Sequence, residues 1–274
     1  MRIDQLLVQR QLASTRSQAQ RLIAGGVQWR HGDVWRRIAK NGDDVPEDAQ
    51  IRLLDDSEAR YVSRGGLKLE AALRQVGLSV VGWQCLDVGQ STGGFTDCLL
   101  QQGAVMVVGV DVGSAQLHPS LRADSRVLCV ESLNARTLVA SDLIAAYADS
   151  TGATGPFDLE DSENEEAEPA FVPEFDLIVA DLSFISQTLV LPAVVPLLKA
   201  GGSLLTLVKP QFELQPGQVG KGGIVKEVAL YALVEQRLRA ACAALDLTVT
   251  HWFESPIAGG DGNREFFICA KGTP

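Results

Sequence analysis

Four charged residues stand where apolar runs give way to turns: Lys68 after Gly65-Gly66, Asp181 closing Asp176-Leu-Ile-Val-Ala-Asp181, Lys209 closing Leu204-Leu-Thr-Leu-Val-Lys209, and Glu265 after Gly262-Asn-Arg. A single charge at a strand end is commonly a solvated terminus. Four of them gathered at one edge of a sheet make a functional site. Two amines and two carboxylates suit proton removal from a hydroxyl, a poor nucleophile until it loses its proton. Lys209 is the expected base or alkoxide stabiliser, with Asp181 orienting it. Lys68 and Glu265 are expected to position the substrate. Alignment of the reacting atoms supplies the remainder of the catalysis.

The co-substrate is legible in Leu86-Asp87-Val-Gly89-Gln-Ser91-Thr92-Gly93-Gly94-Phe95-Thr96. An apolar run meets a glycine-rich turn and then a helix-like segment, the arrangement at which open α/β sheets bind ligands. A second strand-like run, Val107-Val-Gly-Val-Asp111, ends in a carboxylate able to accept hydrogen bonds from a ribose diol. The G-x-G-x-x-G dinucleotide fingerprint is absent, and no Lys follows the glycines as in a phosphate loop. S-adenosylmethionine needs neither feature, which makes a methyltransferase the leading reading. Enzymes that methylate base amines typically carry Asn/Asp-Pro-Pro-aromatic after the fourth strand, where this chain has Asp181-Leu182-Ser183-Phe184. A ribose hydroxyl is therefore favoured as the acceptor.

These residues need a parallel sheet to position them. Strand-like runs at 85–88, 105–110, 126–130, 175–180, 203–208, 245–252 and 265–270 alternate with helical patterns at 95–102, 114–123, 137–148, 189–199 and 226–244. Alternation of this kind predicts a doubly wound α/β sheet of seven strands, Rossmann-like, as in class I methyltransferases. Only a loop separates the last two strands, so they form an antiparallel hairpin. Residues 1–55 read as a separate small α+β module with two helices and short strands. Residues 56–62 read as a linker, and 63–274 as the methyltransferase domain. Within that domain residues 149–174 read as a disordered acidic insertion.

The net charge of −10 argues at first against a nucleic-acid partner. Nine of the 34 acidic residues lie in 149–174, however, and without them acids and bases nearly balance. The first 64 residues carry eleven Lys/Arg against nine Asp/Glu. Arg2, Arg10, Arg16, Arg21 and Arg30 stud this part of the chain, with Arg64 beyond the linker, and by themselves read as a solvated charged face. The five cysteines are scattered, with no C-x-x-C pair, and read as small core residues of a reduced, cytoplasmic protein. No apolar run reaches membrane-spanning length, the start is too polar for a signal peptide, and no metal site is expected.

The N-terminal pattern Arg2-x-Asp4-x-x-Leu7, with Ser14-Thr-Arg-Ser-x-Ala-x-x-Leu-Ile-x-x-Gly-x-Val, resembles a small RNA-binding domain first seen in a small-subunit ribosomal protein, and the resemblance implies RNA phosphate contacts at Arg2, Arg10, Arg16, Arg21, Arg30 and Arg64. The whole chain resembles the TlyA family, also called hemolysin A, among the FtsJ-like ribose methyltransferases. The matching segments are Ser63-Arg-Gly-Gly-Leu-Lys68-Leu, Asp87 to Thr96, Gly109-Val-Asp111-Val112-Gly, Glu131-Ser-Leu-Asn134-Ala-Arg136, Asp181-Leu-Ser-Phe-Ile-Ser186, Val208-Lys209-Pro-Gln-Phe-Glu213 and Gly262-Asn-Arg-Glu265-Phe. The resemblance implies 2′-O-methylation of cytidine in ribosomal RNA by a Lys-Asp-Lys-Glu tetrad at Lys68, Asp181, Lys209 and Glu265. It also implies cofactor contacts at Asp87, Gly89, Ser91, Thr92, Gly93, Gly94, Phe95, Asp111, Val112, Glu131, Asn134 and Asp181. Ser132-Leu133 replaces the family's usual Arg-Thr, and the acidic insertion is longer than usual. The expected partners are ribosomal RNA or ribosomal subunits, with no membrane, for a monomeric chain. Two rival readings are a membrane-active hemolysin and an RNA-binding regulator whose methyltransferase fold is inactive. No strongly basic amphipathic helix favours the first, and the intact tetrad speaks against the second.

Overall fold

The computed structural model describes residues 1–13, 15–54, 59–152, 171–257 and 262–273. The N-terminal module contains α1 (Ile3–Gln9), α2 (Arg16–Gly26), β1 (Val27–His31), β2 (Val34–Arg37) and β3 (Ile51–Leu53). Ile3, Leu6 and Leu7, one helical turn apart, pack in one cluster with Ala19, Leu22 and Ile23 of α2. Thr15 starts α2 by accepting a hydrogen bond from Gln18 N–H at 3.2 Å. The three strands are antiparallel in the order β2-β1-β3, and Val27, Trp29, Ile51 and Leu53 face the same core.

Asp4 is fully buried in this module, where Arg2 and Arg16 each reach its Oδ2 at 2.9 Å. The Arg2 hydrogen bond, helped by Arg16 and opposed by burial, holds the carboxyl down at about 2. A depressed carboxyl adds stability that is complete above its ordinary value of 3.8 and is lost as pH falls towards about 2. Asp4→Asn should therefore cost about 1.5–3 kcal/mol at neutral pH, the range for hydrogen bonds to charged groups. Denaturant melts of the two proteins should converge as the solution is acidified; an unchanged gap would count against the ionised Asp4.

The larger domain contains α3 (Arg64–Val76), β4 (Gln84–Val88), α4 (Gly94–Gln101), β5 (Met106–Val110), α5 (Pro119–Arg122), β6 (Val127–Val130), α6 (Ala140–Thr151) and β7 (Phe175–Asp181). It continues with α7 (Leu191–Val194), β8 (Leu198–Val208), α8 (Pro210–Glu213), α9 (Val228–Ala243), β9 (Leu247–Glu254) and β10 (Phe266–Gly272). The sheet order is β6-β5-β4-β7-β8-β10-β9, parallel from β6 to β8, with β10 antiparallel to both neighbours. Alternate residues of the central strands feed two cores. Leu86, Val108 and Ile178 pack with Leu143 of α6 and Leu238 of α9; Cys85, Val107 and Leu177 pack with Leu69 of α3 and Leu99 of α4. This is the expected doubly wound sheet with its terminal antiparallel pair. Four of the cysteines are buried and Cys129 is half-buried.

Two expected helices are shorter than their patterns. The helix expected at 114–123 is confined to α5, because Ala115 has φ +57° and Pro119 can occupy only the first turn of a helix. The helix expected at 189–199 is reduced to α7, with Pro192 in its first turn, and breaks at Pro196 into a 3₁₀ turn over Val195–Leu197, and Lys199 belongs to β8. The flanks of the acidic segment are ordered. Residues 149–151 extend α6, and Phe171 stacks on Tyr147 at 4.7 Å. Residues 153–170, and 56–58 of the expected linker, lie outside the described residues. Among the described residues no helix is long and apolar enough to cross a membrane.

Candidate active site

β4 delivers the chain into the glycine loop, and β7, β8 and β10 deliver the charged residues beside it. Val88 lies next to Ala180, Asp181 next to Leu207, and Val208 next to Phe266. Gly89, Asp181, Lys209 and Glu265 therefore emerge at one edge of the sheet. Gly89 has φ +85°, and a Cβ there would stand 3.0 Å from the Asp181 carbonyl oxygen. Gly94, the first residue of α4, lies so close to the start of α3 that a Cβ would meet Ser63 Oγ at 2.1 Å and Gly66 N at 3.0 Å. Loop, β7 and α3 are thus packed backbone to backbone, which brings Lys68 to the site from the first turns of α3.

The four charged side chains form two ion pairs. Lys209 Nζ lies 2.6 Å from Asp181 Oδ1 and donates to Ser183 Oγ at 2.9 Å. Lys68 Nζ lies 2.6 Å from Glu265 Oε2, with the two side chains only 10% and 5% exposed. Asp181 and Lys209 line a hollow of about 200 Å³ together with Gly89, Thr92, Gly94 and Phe95. Lys68 and Glu265 are not among its lining residues and are buried. The first pair faces open space; the second is withdrawn from solvent.

A larger cleft of about 600 Å³ adjoins this hollow, sharing Gly89, Ser91, Asp181 and Ser183, and is also lined by Asp111, Val112 and Asn134. Its size is typical of a small-molecule site. Asp111 organises the loop: Oδ2 accepts Ser91 N–H and Oδ1 accepts Gly113 N–H, each at 2.7 Å. Beneath the loop, Thr96 Oγ1 donates to Asp87 Oδ2 at 2.7 Å and accepts from Gln90 Nε2 at 2.9 Å. Asp87 Oδ1 has no partner among the described residues. Burial, with nearby Asp181 and Asp111, pushes the Asp87 carboxyl up to about 7 despite the Thr96 hydrogen bond.

Several expected site residues stand elsewhere or are already engaged. Glu131 lines a different hollow, where Arg122 meets it at 2.7 Å and holds its carboxyl below the usual range. Of the N-terminal arginines, Arg2 and Arg16 hold Asp4, and Arg10 donates to the carbonyls of Ala49 and Glu47. Arg30 donates to Gly32 O and Gln50 Oε1. Arg21 and Arg64 are half-buried and also have internal partners. Sequence reasoning assigned no role to Ser183 or Phe184. Phe184 lines the larger cleft, is 91% exposed, has φ +64° and sits 5.1 Å from the Phe212 ring. A bulky residue in the left-handed region is costly. The only signal for it was its place in Asp181-Leu-Ser-Phe184.

A Rossmann-like sheet in which an antiparallel strand, β10, is inserted between β8 and β9, with the cleft at the strand ends, is the arrangement expected of class I methyltransferases. Residues 61–272 match the FtsJ-like methyltransferase family, and residues 1–26 match the S4 domain. The chain is 38% identical over 270 residues to the 16S/23S rRNA (cytidine-2′-O)-methyltransferase TlyA of Mycobacterium tuberculosis, covering 98% of this chain and 89% of that one. It is 33% identical over 266 residues to Hemolysin A of Brachyspira hyodysenteriae, covering 97% and 98%. A solved structure of a hemolysin-named protein from Streptococcus thermophilus superposes with a TM-score of 0.68 at 36% identity, covering 100% of this chain and 88% of that one. The chain belongs to the TlyA family of FtsJ-like methyltransferases.

Proposed function

We propose that the chain methylates the ribose 2′-hydroxyl of a cytidine in ribosomal RNA, using S-adenosylmethionine as methyl donor. The observation that carries this reading is the Lys209–Asp181 pair at 2.6 Å, facing a hollow bounded by the glycine loop. The activities named for the relatives and the S4 match support it. A ribosomal RNA substrate would also place the chain in the cytoplasm.

The residues present fit the cofactor. Asp87 Oδ1 is a buried acceptor lacking a donor among the described residues, and the glycine loop bounds the hollow beside Asp181 and Lys209. Asp87, Gly89 to Phe95, Asp111, Val112 and Asn134 would hold it. When bound, S-adenosylmethionine supplies an electrophilic methyl group on a sulfonium. Lys209 Nζ, held beside Asp181 Oδ1, would take the 2′-hydroxyl proton or stabilise the alkoxide that develops as the methyl group is transferred. Ser183 Oγ fixes the direction of that amine. Phe184 offers an exposed ring on which the cytosine of an unpaired nucleotide can stack. The N-terminal arginines would set affinity through phosphate contacts.

Because Asp111 Oδ2 holds the Ser91 N–H of the glycine loop, Asp111→Ala should loosen the cradle and weaken cofactor binding by about 1–3 kcal/mol. Calorimetry showing full affinity in a folded variant would count against this cofactor site. The activity itself is tested with isotopically labelled S-adenosylmethionine and unmodified ribosomal subunits. A 2′-O-methyl group removes the nucleophile of alkaline cleavage, so the label should survive in alkali-resistant dinucleotides. Label released only as mononucleotides would show methylation elsewhere than the ribose.

A further inference from the structure

The sheet of the N-terminal module has a second face, turned away from its core. Antiparallel pairing of Gln28 with Arg37 and Arg52, and of Arg30 with Trp35, puts these five side chains on that face together. Arg30, Arg37 and Arg52 are exposed and Trp35 is half-buried. The Arg52 guanidinium lies over the Trp35 ring, 4.6 Å from its centroid. Gln28 Oε1 holds it there, accepting from Arg52 Nε at 3.2 Å and Nη2 at 2.6 Å. Asp33, fully exposed in the turn between β1 and β2, lies 3.5 Å from Arg30 and is the only acid that forms an ion pair with this face among the described residues.

A surface tryptophan shielded by a neighbouring arginine is the plain reading of this arrangement. It leaves unexplained why Gln28 orients the guanidinium and why Arg30 and Arg37 flank the stack on a chain of net charge −10. A planar Trp–Arg layer presents its outer guanidinium plane and the indole edge to solvent. Bases stack on such planes whatever their sequence, provided they are unpaired, and flanking arginines meet the adjoining phosphates. We propose that this sheet face is an RNA-binding surface for a single-stranded segment, one base stacking on the Trp35–Arg52 layer and the neighbouring phosphates meeting Arg30 and Arg37. The choice of RNA as the nucleic acid rests on the function proposed above.

The test uses the full chain and a fluorescein-labelled single-stranded RNA, with the same RNA annealed to its complement as comparison. Trp35→Ala should bind the single strand about tenfold more weakly, from the loss of one stacked base, and the duplex nearly as well as the unmodified chain does. Trp35→Phe should retain most of the affinity, whereas Arg52→Lys, which keeps the charge but not the plane, should lose it. Arg37→Ala should reduce the slope of log affinity against log salt by about one. If Trp35→Ala fails to fold, as judged by its melt, Trp35→Phe, Arg52→Lys and Arg37→Ala still decide the matter. Wild-type single-strand binding in both Arg52→Lys and Arg37→Ala would overturn the proposal, as would equal losses for single strand and duplex. Weakened binding to ribosomal subunits with unchanged oligonucleotide binding would assign the face to a protein and also overturn it. A chain that binds RNA through Trp35 yet transfers no methyl would refute the proposed activity and leave this surface standing.

Discussion

Lys209→Ala is expected to bind cofactor and ribosomal RNA normally and to transfer methyl 10²- to 10⁴-fold more slowly, roughly the range for loss of a positioned general base. Lys209 touches Asp181 and Ser183 at the mouth of the hollow, and its removal leaves the cradle of Gly89 to Phe95 untouched. The loss should therefore fall on the chemical step alone. Single-turnover transfer, measured beside calorimetric binding, separates the two. Wild-type single-turnover rates would show that the base lies elsewhere. Equal losses in binding and rate would instead make Lys209 a binding residue.

Lys68→Met is expected to act mainly on stability. Its ammonium and the Glu265 carboxylate are almost completely withdrawn from solvent. Removing one member of such a pair strands the other charge and costs about 3–5 kcal/mol. Replacing both, in Lys68→Met with Glu265→Leu, should recover most of that loss, because no unpaired charge remains. Denaturant melts of the two single variants and the double variant measure this directly. If the recovered double variant also methylates normally, the buried pair is only structural. If it is stable and slow, the pair positions the substrate hydroxyl. Additive destabilisation in the double variant would mean that the two residues do not act as a pair.

Strand ends were the most legible part of this site. Short apolar blocks such as Leu204 to Val208 end abruptly at charged residues, and a parallel sheet brings those ends to one edge whatever the loops between them do. The glycine loop was legible because Gly89, Gly93 and Gly94 follow directly on the apolar run that ends at Val88. Partnerships were less legible. Lys68 and Glu265 lie 197 residues apart, and nothing local indicates that they pair with each other rather than with Asp181 or Lys209. Arg2 and Arg16 read as phosphate contacts from the resemblance to an RNA-binding domain; their embrace of buried Asp4 depends on how α1 packs on α2. Helical patterns misled where proline intervened. The 189–199 stretch has the apolar spacing of a helix, and Pro196 still ends it. Glu131 sits beside a strand end as Asp111 does, yet β6 lies at the edge of the sheet, where Arg122 captures the carboxylate. Phe184 was hidden for a further reason: a positive φ in a bulky residue has no signature in composition or periodicity.

The most direct test of ribose methylation is nucleoside mass spectrometry of ribosomal RNA. Subunits from cells lacking the gene would be incubated with S-adenosylmethionine and either the unmodified chain or Lys209→Ala. The expected result is a gain of 2′-O-methylcytidine with the unmodified chain and almost none with the variant over the same interval. A methyl group on a base, on a nucleoside other than cytidine, or in equal yield with Lys209→Ala would contradict the assignment.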